Sequence, residues 1–421
     1  MKIKKNLTIF TYDYPLGTSE LTFIKYELSK IIEHFDKITV VPQKFFKDNR
    51  KINDESSISI DTSLSKKLNS LNIILKFLTY TIFSKIFWKE VLNNKIDKNI
   101  FLKIKMAIIE YSTSIIIYNW ILDKKIIEDN ILYSFWSNQV LISFKKLKDL
   151  NKNSILISRT LGSDLNGYIK NDPYVPFLKI KFKNLNKIFV LSSYQQKKIL
   201  QNKLTTKNKV CINPLGIYTQ DIKNFEFNEK KKVLNFLSCG SLIEIKNNLL
   251  MIDFLKHYST FTSKKINYYL IGDGKLKNVI KKRLKNLPNN INCEMIDKVD
   301  NLITFMKEKD IDLFMNFSSQ EGMSFSVMES LSCAIPVIAT NIDANLELVN
   351  KNRGYLIDLD DINTSFDKIS KEIESDMKTF KFKEKKLDAN KFINNNFSNT
   401  NLFKKFLSEL NKINNHEMQN L

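Results

Sequence analysis

The chain has 421 residues, is 43% hydrophobic and 26% charged, and carries a formal net charge of +21. Its length exceeds one ordinary core and predicts two domains of about 200 residues each. The charge is lopsided: residues 1–220 hold 36 Lys and Arg against 18 Asp and Glu, whereas residues 221–421 hold 30 against 27. A basic first half suits a polyanionic partner, such as an anionic membrane surface, a phosphorylated glycan or a nucleic acid. Nucleic acid is disfavoured, because there is no zinc-finger spacing and lysine far outnumbers the arginine that reads bases. Cys211, Cys239, Cys293 and Cys333 are isolated, which argues against a zinc site or a disulfide framework and for free thiols in a reducing cytoplasm. No stretch reaches the roughly 18 uncharged apolar residues of a spanning helix; residues 71–88 come nearest and are broken by Lys76 and Lys85.

In chain order, Asn6–Tyr12 reads as a strand rather than a signal peptide. The loop YPLGTSE follows with Gly17 and Glu20, then a helix over Leu21–Glu33 and a strand over Lys37–Pro42. Strand, glycine loop and helix form the first half of a nucleotide-fold unit. Residues 64–127 are rich in Ile, Leu, Phe and Lys at helical spacing and predict two or three amphipathic helices. Two readings stay open there. One is a helical insertion packed on the first sheet. The other is an in-plane membrane contact, with Lys66, Lys67, Lys76, Lys85 and Lys89 on the polar side and Phe77, Phe83, Phe87 and Trp88 towards lipid. Strands are expected at 130–136, 154–158 and 187–193, the second running into RTLGSDL with Arg159, Leu161, Gly162 and Asp164. The proline and glycine of KVCINPLG, residues 209–216, mark a domain boundary, and the polar run TQDIKNFEFNEKKK at 219–232 reads as the linker.

The second half opens with the strand VLNFLSCG, ending at Gly240, and continues through Ser241 to Lys246. A strand at 266–271 leads into a turn of Gly272, Asp273 and Gly274, and further strands are expected at 290–295, 312–316 and 354–357. The chain is organised around residues 318–337, SSQEGMSFSVMESLSCAIPV. There a polar loop with Glu321 and Gly322 enters a helix carrying Glu329, with Ser324 as the expected N-cap whose hydroxyl accepts a first-turn N–H. A helix start beside a glycine favours phosphate, which suggests a diphosphate flanked by two carboxylates.

This stretch resembles the Glu-x7-Glu region of the retaining family 4 glycosyltransferases (group 1), and the blocks at Arg159–Asp164, Gly240–Lys246 and Gly272–Gly274 resemble further motifs of that family. The resemblance implies an α/β, GT-B fold: two Rossmann-like doubly wound domains facing a cleft, with a helical insertion in the first. It places an acceptor-side domain at 1–217 with the insertion at about 64–127. A donor domain follows at 218–390, and C-terminal helices at 391–421 return towards the first domain. It implies transfer of a sugar from a nucleoside diphosphate sugar, with retention and without a metal, to a glycan or lipid-linked acceptor of bacterial envelope polysaccharide. The implied location is cytoplasmic and peripheral on the inner membrane face. By position, Glu321 faces the sugar, Glu329 the ribose, and the amides of Gly322, Met323, Ser324 and Phe325 the diphosphate. Lys246 lies against the phosphates as a catalytic cation, and Gly240, Ser241, Gly272, Asp273 and Gly274 border the nucleotide. Gly17, Glu20, Arg159, Gly162 and Asp164 fall on the acceptor side. Three departures stand out: Leu161 replaces the family's histidine, Ser241 its arginine, and Ala334 a glycine, the last read as a packing change. An epimerase, a non-catalytic binding protein and a membrane-surface scaffold are the alternative functions.

Overall fold

The computed structural model describes residues 6–17, 20–46, 58–93, 99–127, 130–151, 154–167, 174–220 and 231–419. The chain forms two units, one running to Gly216 and resuming at Leu402, the other Ile217–Asn401. Most of the expected linker, residues 168–173, and Thr18 and Ser19 of the first loop lie outside the described residues.

The first unit is built on seven parallel strands: β1 (Asn6–Thr11), β2 (Ile38–Pro42), β3 (Ile58–Ile60), β4 (Asn130–Ser134), β5 (Ile155–Thr160), β6 (Lys187–Val190) and β7 (Val210–Ile212). Their order is β3-β2-β1-β4-β5-β6-β7, so it reverses between β1 and β4. These strands read as near-continuous apolar runs because helices cover both faces of a parallel sheet; every residue of β5 is buried, Arg159 included. Phe10, Trp120 and Phe144 meet edge to face in the core, with centroids 6.1 and 5.9 Å apart. From Leu402 the last helix, Asn399–Gln419, packs on this unit: Phe406 lies 4.6 Å from the Phe189 ring, and Glu409 pairs with Lys187 at 2.5 Å.

Among the described residues between β3 and β4 the insertion forms four helices, Ser63–Leu68, Leu71–Ile82, Lys85–Leu92 and Ile100–Asp123, rather than two or three. Phe87, Ala107, Tyr111 and Ile115 make a small core with Ile142 and Phe177, and Phe77 packs against it. Phe77 and Phe87 therefore face protein, a correction to the in-plane reading, whereas Phe83 and Trp88 are exposed. The side chain of Lys76 lies outside the described residues.

The second unit has six parallel strands: β8 (Val233–Cys239), β9 (Lys265–Ile271), β10 (Ile291–Ile296), β11 (Leu313–Asn316), β12 (Val337–Thr340) and β13 (Gly354–Ile357). Their order, β10-β9-β8-β11-β12-β13, reverses between β8 and β11. Phe236, Phe254, Tyr258 and Phe317 fill one side of this sheet together with Phe366 and Ile369 of the helix Ile362–Met377. Both units are thus doubly wound α/β folds, and in each the reversal of strand order opens a crevice at the carboxyl ends of the strands.

Candidate active site

In the second unit that crevice gathers the three motif blocks. Gly240 continues β8, its N–H donating to the Ile271 carbonyl at 3.0 Å. The chain then turns through a short 3-10 helix, Glu244–Lys246, that ends on Asn247 in the left-handed conformation, φ +48°. Asparagine is one of few side-chain-bearing residues that enter this region readily, and here its amide also donates to the Phe317 carbonyl at 2.9 Å. The backbone N–H of Ser319 donates to the Ile245 carbonyl at 2.8 Å. These two ties hold the 318–324 loop against the 244–247 turn. The result is an ion pair between Lys246 and Glu321, with Nζ 2.6 Å from Oε1. Both side chains are largely covered, and the lysine stem passes 3.9 Å from where a Cβ on Gly240 would stand.

The Gly272–Gly274 turn closes on the same place. Gly272 has φ +151° and Gly274 φ +155°, and a Cβ on them would come within 2.0 Å of the Gly240 carbonyl and 2.5 Å of the Leu242 carbonyl. The Leu242 N–H donates to the Asp273 carbonyl at 2.9 Å. The two turns therefore lie backbone on backbone, and only glycine permits it. Ser241 and the Asp273 side chain are exposed, the latter 3.3 Å from Lys277.

The helix Phe325–Ser332 begins at Ser324, but the expected hydroxyl cap is absent. The Ser324 hydroxyl instead accepts from the Asn316 amide at 3.1 Å and lies 3.1 Å from the Ser326 hydroxyl, which donates to the Cys239 carbonyl at 3.3 Å. The serines fasten the helix start to the ends of β8 and β11 and leave it without a side-chain cap, so the dipole's positive end has no hydroxyl of its own. Gly322 is half-buried, and Met323, Ser324 and Phe325 are buried. Glu329 is also buried, 8% exposed, rather than a solvated surface residue. Burial, with this carboxylate nearby, pushes the Cys239 thiol up to about 12.

At the far end of the same helix Ala334 has φ +58°. The Ile335 N–H donates to the Ser330 carbonyl and the Ala334 N–H to the Leu331 carbonyl, both at 3.1 Å. This is a Schellman stop, whose αL position ordinarily takes glycine. Glycine suits position 334 for backbone reasons, which corrects the packing explanation.

In the first unit the expected acceptor-side residues prove to be organisers. Glu20 is fully buried, and its carboxylate accepts the N–H groups of Tyr12, Asp13 and Tyr14 at 2.9, 2.6 and 2.9 Å together with the Trp136 indole N–H. Burial nevertheless raises its pKa above the ordinary carboxylate value. Gly17 lies against Asp13, where a Cβ would meet the carboxylate at 2.2 Å. Arg159 is 1% exposed. Its guanidinium pairs with Glu27 at 3.0 Å, donates to Tyr133 at 3.0 Å and to Asn213, and lies over Phe189 and Phe406. It is a core residue, so the acceptor-side placement of Arg159 is corrected: both faces of β5 are covered, and its guanidinium is spent on Glu27, Tyr133 and Asn213. Asp164 is buried beside Gly162, accepting the N–H groups of Ser137 at 3.0 Å and Leu161 at 2.7 Å, and burial pushes its pKa up to about 6.

The sequence reading missed Asn247 and Ser319, which hold the ion pair in place, and Asn316 and Ser326, which fasten the helix start. Only Asn247 carried a local signal, as an asparagine directly before a helix.

Comparison with known proteins agrees with this fold. Residues 219–390 match the family described as glycosyl transferases, group 1. An uncharacterised glycosyltransferase of Methanocaldococcus jannaschii is 27% identical over 215 residues, 48% of this chain and 51% of that protein. The O-antigen biosynthesis glycosyltransferase WclY of Escherichia coli is 32% identical over 130 residues, 29% of this chain and 35% of that protein. The chain thus spans about half the length, or less, of these curated relatives. A glycosyltransferase structure from Rickettsia africae has a TM-score of 0.66 at 16% identity and covers 97% of this chain and 98% of that one. Anabaena HepE, solved in complex with UDP and glucose, has a TM-score of 0.65 at 12% identity, covering 97% and 100%. The chain has the two-unit α/β fold of these GT-B structures, and its residues 219–390 match the group 1 glycosyl transferase family.

Proposed function

We propose that the protein transfers a hexose-type sugar from a nucleoside diphosphate sugar to a glycan or lipid-linked acceptor of bacterial envelope polysaccharide, retaining the anomeric configuration and requiring no metal. The observation that carries this reading is the Lys246–Glu321 pair at 2.6 Å, beside a helix start without a side-chain cap and two glycine turns. The Lys246 ammonium offsets charge on the departing diphosphate, and the amides of Gly322–Phe325 with the helix dipole hold the phosphate oxygens. Glu321, already paired with a cation, suits an orienting and electrostatic role at the sugar better than attack as a nucleophile. Glu329 is assigned to the ribose. Gly240, Ser241 and the Gly272, Asp273 and Gly274 turn border the nucleotide. The named activity of WclY in O-antigen biosynthesis supports the envelope context, and the UDP and glucose in HepE support a nucleotide-sugar donor.

The test is release of nucleoside diphosphate from a panel of sugar nucleotides in EDTA, with proton NMR of the anomeric linkage formed. Retained configuration without added metal is expected. Inversion of configuration or strict metal dependence would refute the corresponding part. A second reading, a binding protein that has lost turnover, is favoured by the buried Leu161 and the exposed Ser241 at positions where polar and cationic groups were expected. Nucleotide binding without any sugar release would select it.

A further inference from the structure

The insertion between β3 and β4 presents apolar side chains outwards in a way its own core does not explain. More than half of the exposed large hydrophobic residues among the described residues lie between 71 and 109. Leu71 is 74% exposed, Leu75 60%, Phe83 87%, Leu92 78% and Phe101 84%. They belong to the three helices Leu71–Ile82, Lys85–Leu92 and Ile100–Asp123 and to the bend between the first two, which turns by 71°. The Trp88 indole N–H donates to the Ile82 carbonyl at 2.6 Å, which ties its half-exposed ring to that bend. Among the described residues no single helix is long and apolar enough to cross a membrane, so a surface contact is the geometry available.

Charge says what covers this face. Residues 63–123 hold nine lysines and four acids. Three of those acids are engaged: Glu110 with Lys181, Asp123 with Lys67, and Glu90 with the Phe177 N–H and Tyr174. Lys66, Lys85, Lys89 and Lys105 are exposed. On Lys85–Leu92 the outward positions 85, 88, 89 and 92 alternate lysine with Trp and Leu, the pattern of a helix lying in a headgroup layer. A second copy of the chain would bring like-charged lysines together across a symmetric contact. We propose that this insertion is a docking surface for an anionic lipid bilayer, with Phe83, Trp88, Leu71 and Leu75 entering the acyl boundary and the four lysines reading the headgroups. This surface is separate from the donor site, and its test does not depend on turnover.

The full chain is floated with phosphatidylcholine vesicles with and without phosphatidylglycerol, while Trp88 emission is followed against a Trp88→Phe control. Flotation and a blue shift only with the anionic vesicles are expected, both reduced by raised salt. Replacing Lys66, Lys85, Lys89 and Lys105 with Gln lowers the partition constant by roughly fivefold per lysine. Replacing Phe83 and Leu75 with Ser abolishes flotation while nucleotide titration of the same variant, without vesicles, is unchanged. Equal binding to both vesicle types, or none, overturns the proposal. So does sedimentation showing a dimer that the Phe83 and Leu75 substitutions dissolve, because a second copy would then cover the face.

Discussion

Substituting Glu321→Gln separates the ion pair from the chemistry assigned to it. With Nζ 2.6 Å from Oε1, a phosphate oxygen taken up by Lys246 from the other side would stand about 5 Å from the carboxylate. Two like unit charges at that distance repel by about 3 kcal/mol at an effective dielectric near 20. Neither side chain is more than a quarter exposed, so screening leaves about 1–3 kcal/mol of that. The neutral amide of the variant removes the repulsion and frees the ammonium, so nucleoside diphosphate should bind roughly 5- to 150-fold more tightly while sugar transfer falls. Calorimetric titration of the nucleoside diphosphate, paired with a turnover assay, reads both. Unchanged or weaker nucleotide binding in Glu321→Gln would refute the placement of phosphate at Lys246.

Gly274→Ala forces a Cβ to within 2.5 Å of the Leu242 carbonyl at φ +155°. A loss of about 2 kcal/mol or more, read as a fall in melting temperature, should accompany weakened nucleotide binding. Ala334→Gly, by contrast, should be neutral or stabilise by up to about 1 kcal/mol in urea titration, because φ +58° is an αL position; clear destabilisation would restore the packing explanation. Arg159→Met leaves Glu27 buried without its guanidinium and should destabilise by about 3–5 kcal/mol, with nucleotide affinity of the folded protein unaltered. Asp164 gives up its proton near 3.8 when unfolded and at about 6 when folded. The folded state holds more protons in that window, so stability falls as pH rises from about 4 to 6, by up to about 3 kcal/mol. Asp164→Asn should flatten that slope by close to one proton, and an unchanged slope would remove the group from the account.

The sheets were legible because parallel strands buried on both faces appear as uninterrupted runs such as NLTIFT and VLNFLSC, bounded by Gly and polar loops. Positions in the second unit were legible for a related reason: Gly240, Gly272 and Gly274 stand where backbone meets backbone, and such requirements leave a mark in the sequence. Side-chain destinations were not. Arg159 sat within a motif, yet its partners Glu27, Tyr133 and Asn213 come from distant parts of the chain. The Ser324 hydroxyl had a local use as a cap, but the Asn316 amide from the preceding strand took it. The insertion's helix breaks were hidden because apolar residues run through them; only Ser84, whose hydroxyl accepts the Phe87 N–H, marks one. β3 has three residues, too few to show a period.

The central claim is that the crevice between β8 and β11 holds a nucleoside diphosphate without metal through Lys246. Calorimetric titration with UDP, GDP and ADP in EDTA, on the wild type and on Lys246→Ala, tests it most directly. The account predicts tight binding of one of the three by the wild type, weakened about 10- to 100-fold by the substitution, as loss of a charge-assisted phosphate contact requires. Binding that needs a divalent ion, or that is indifferent to Lys246→Ala, would contradict it.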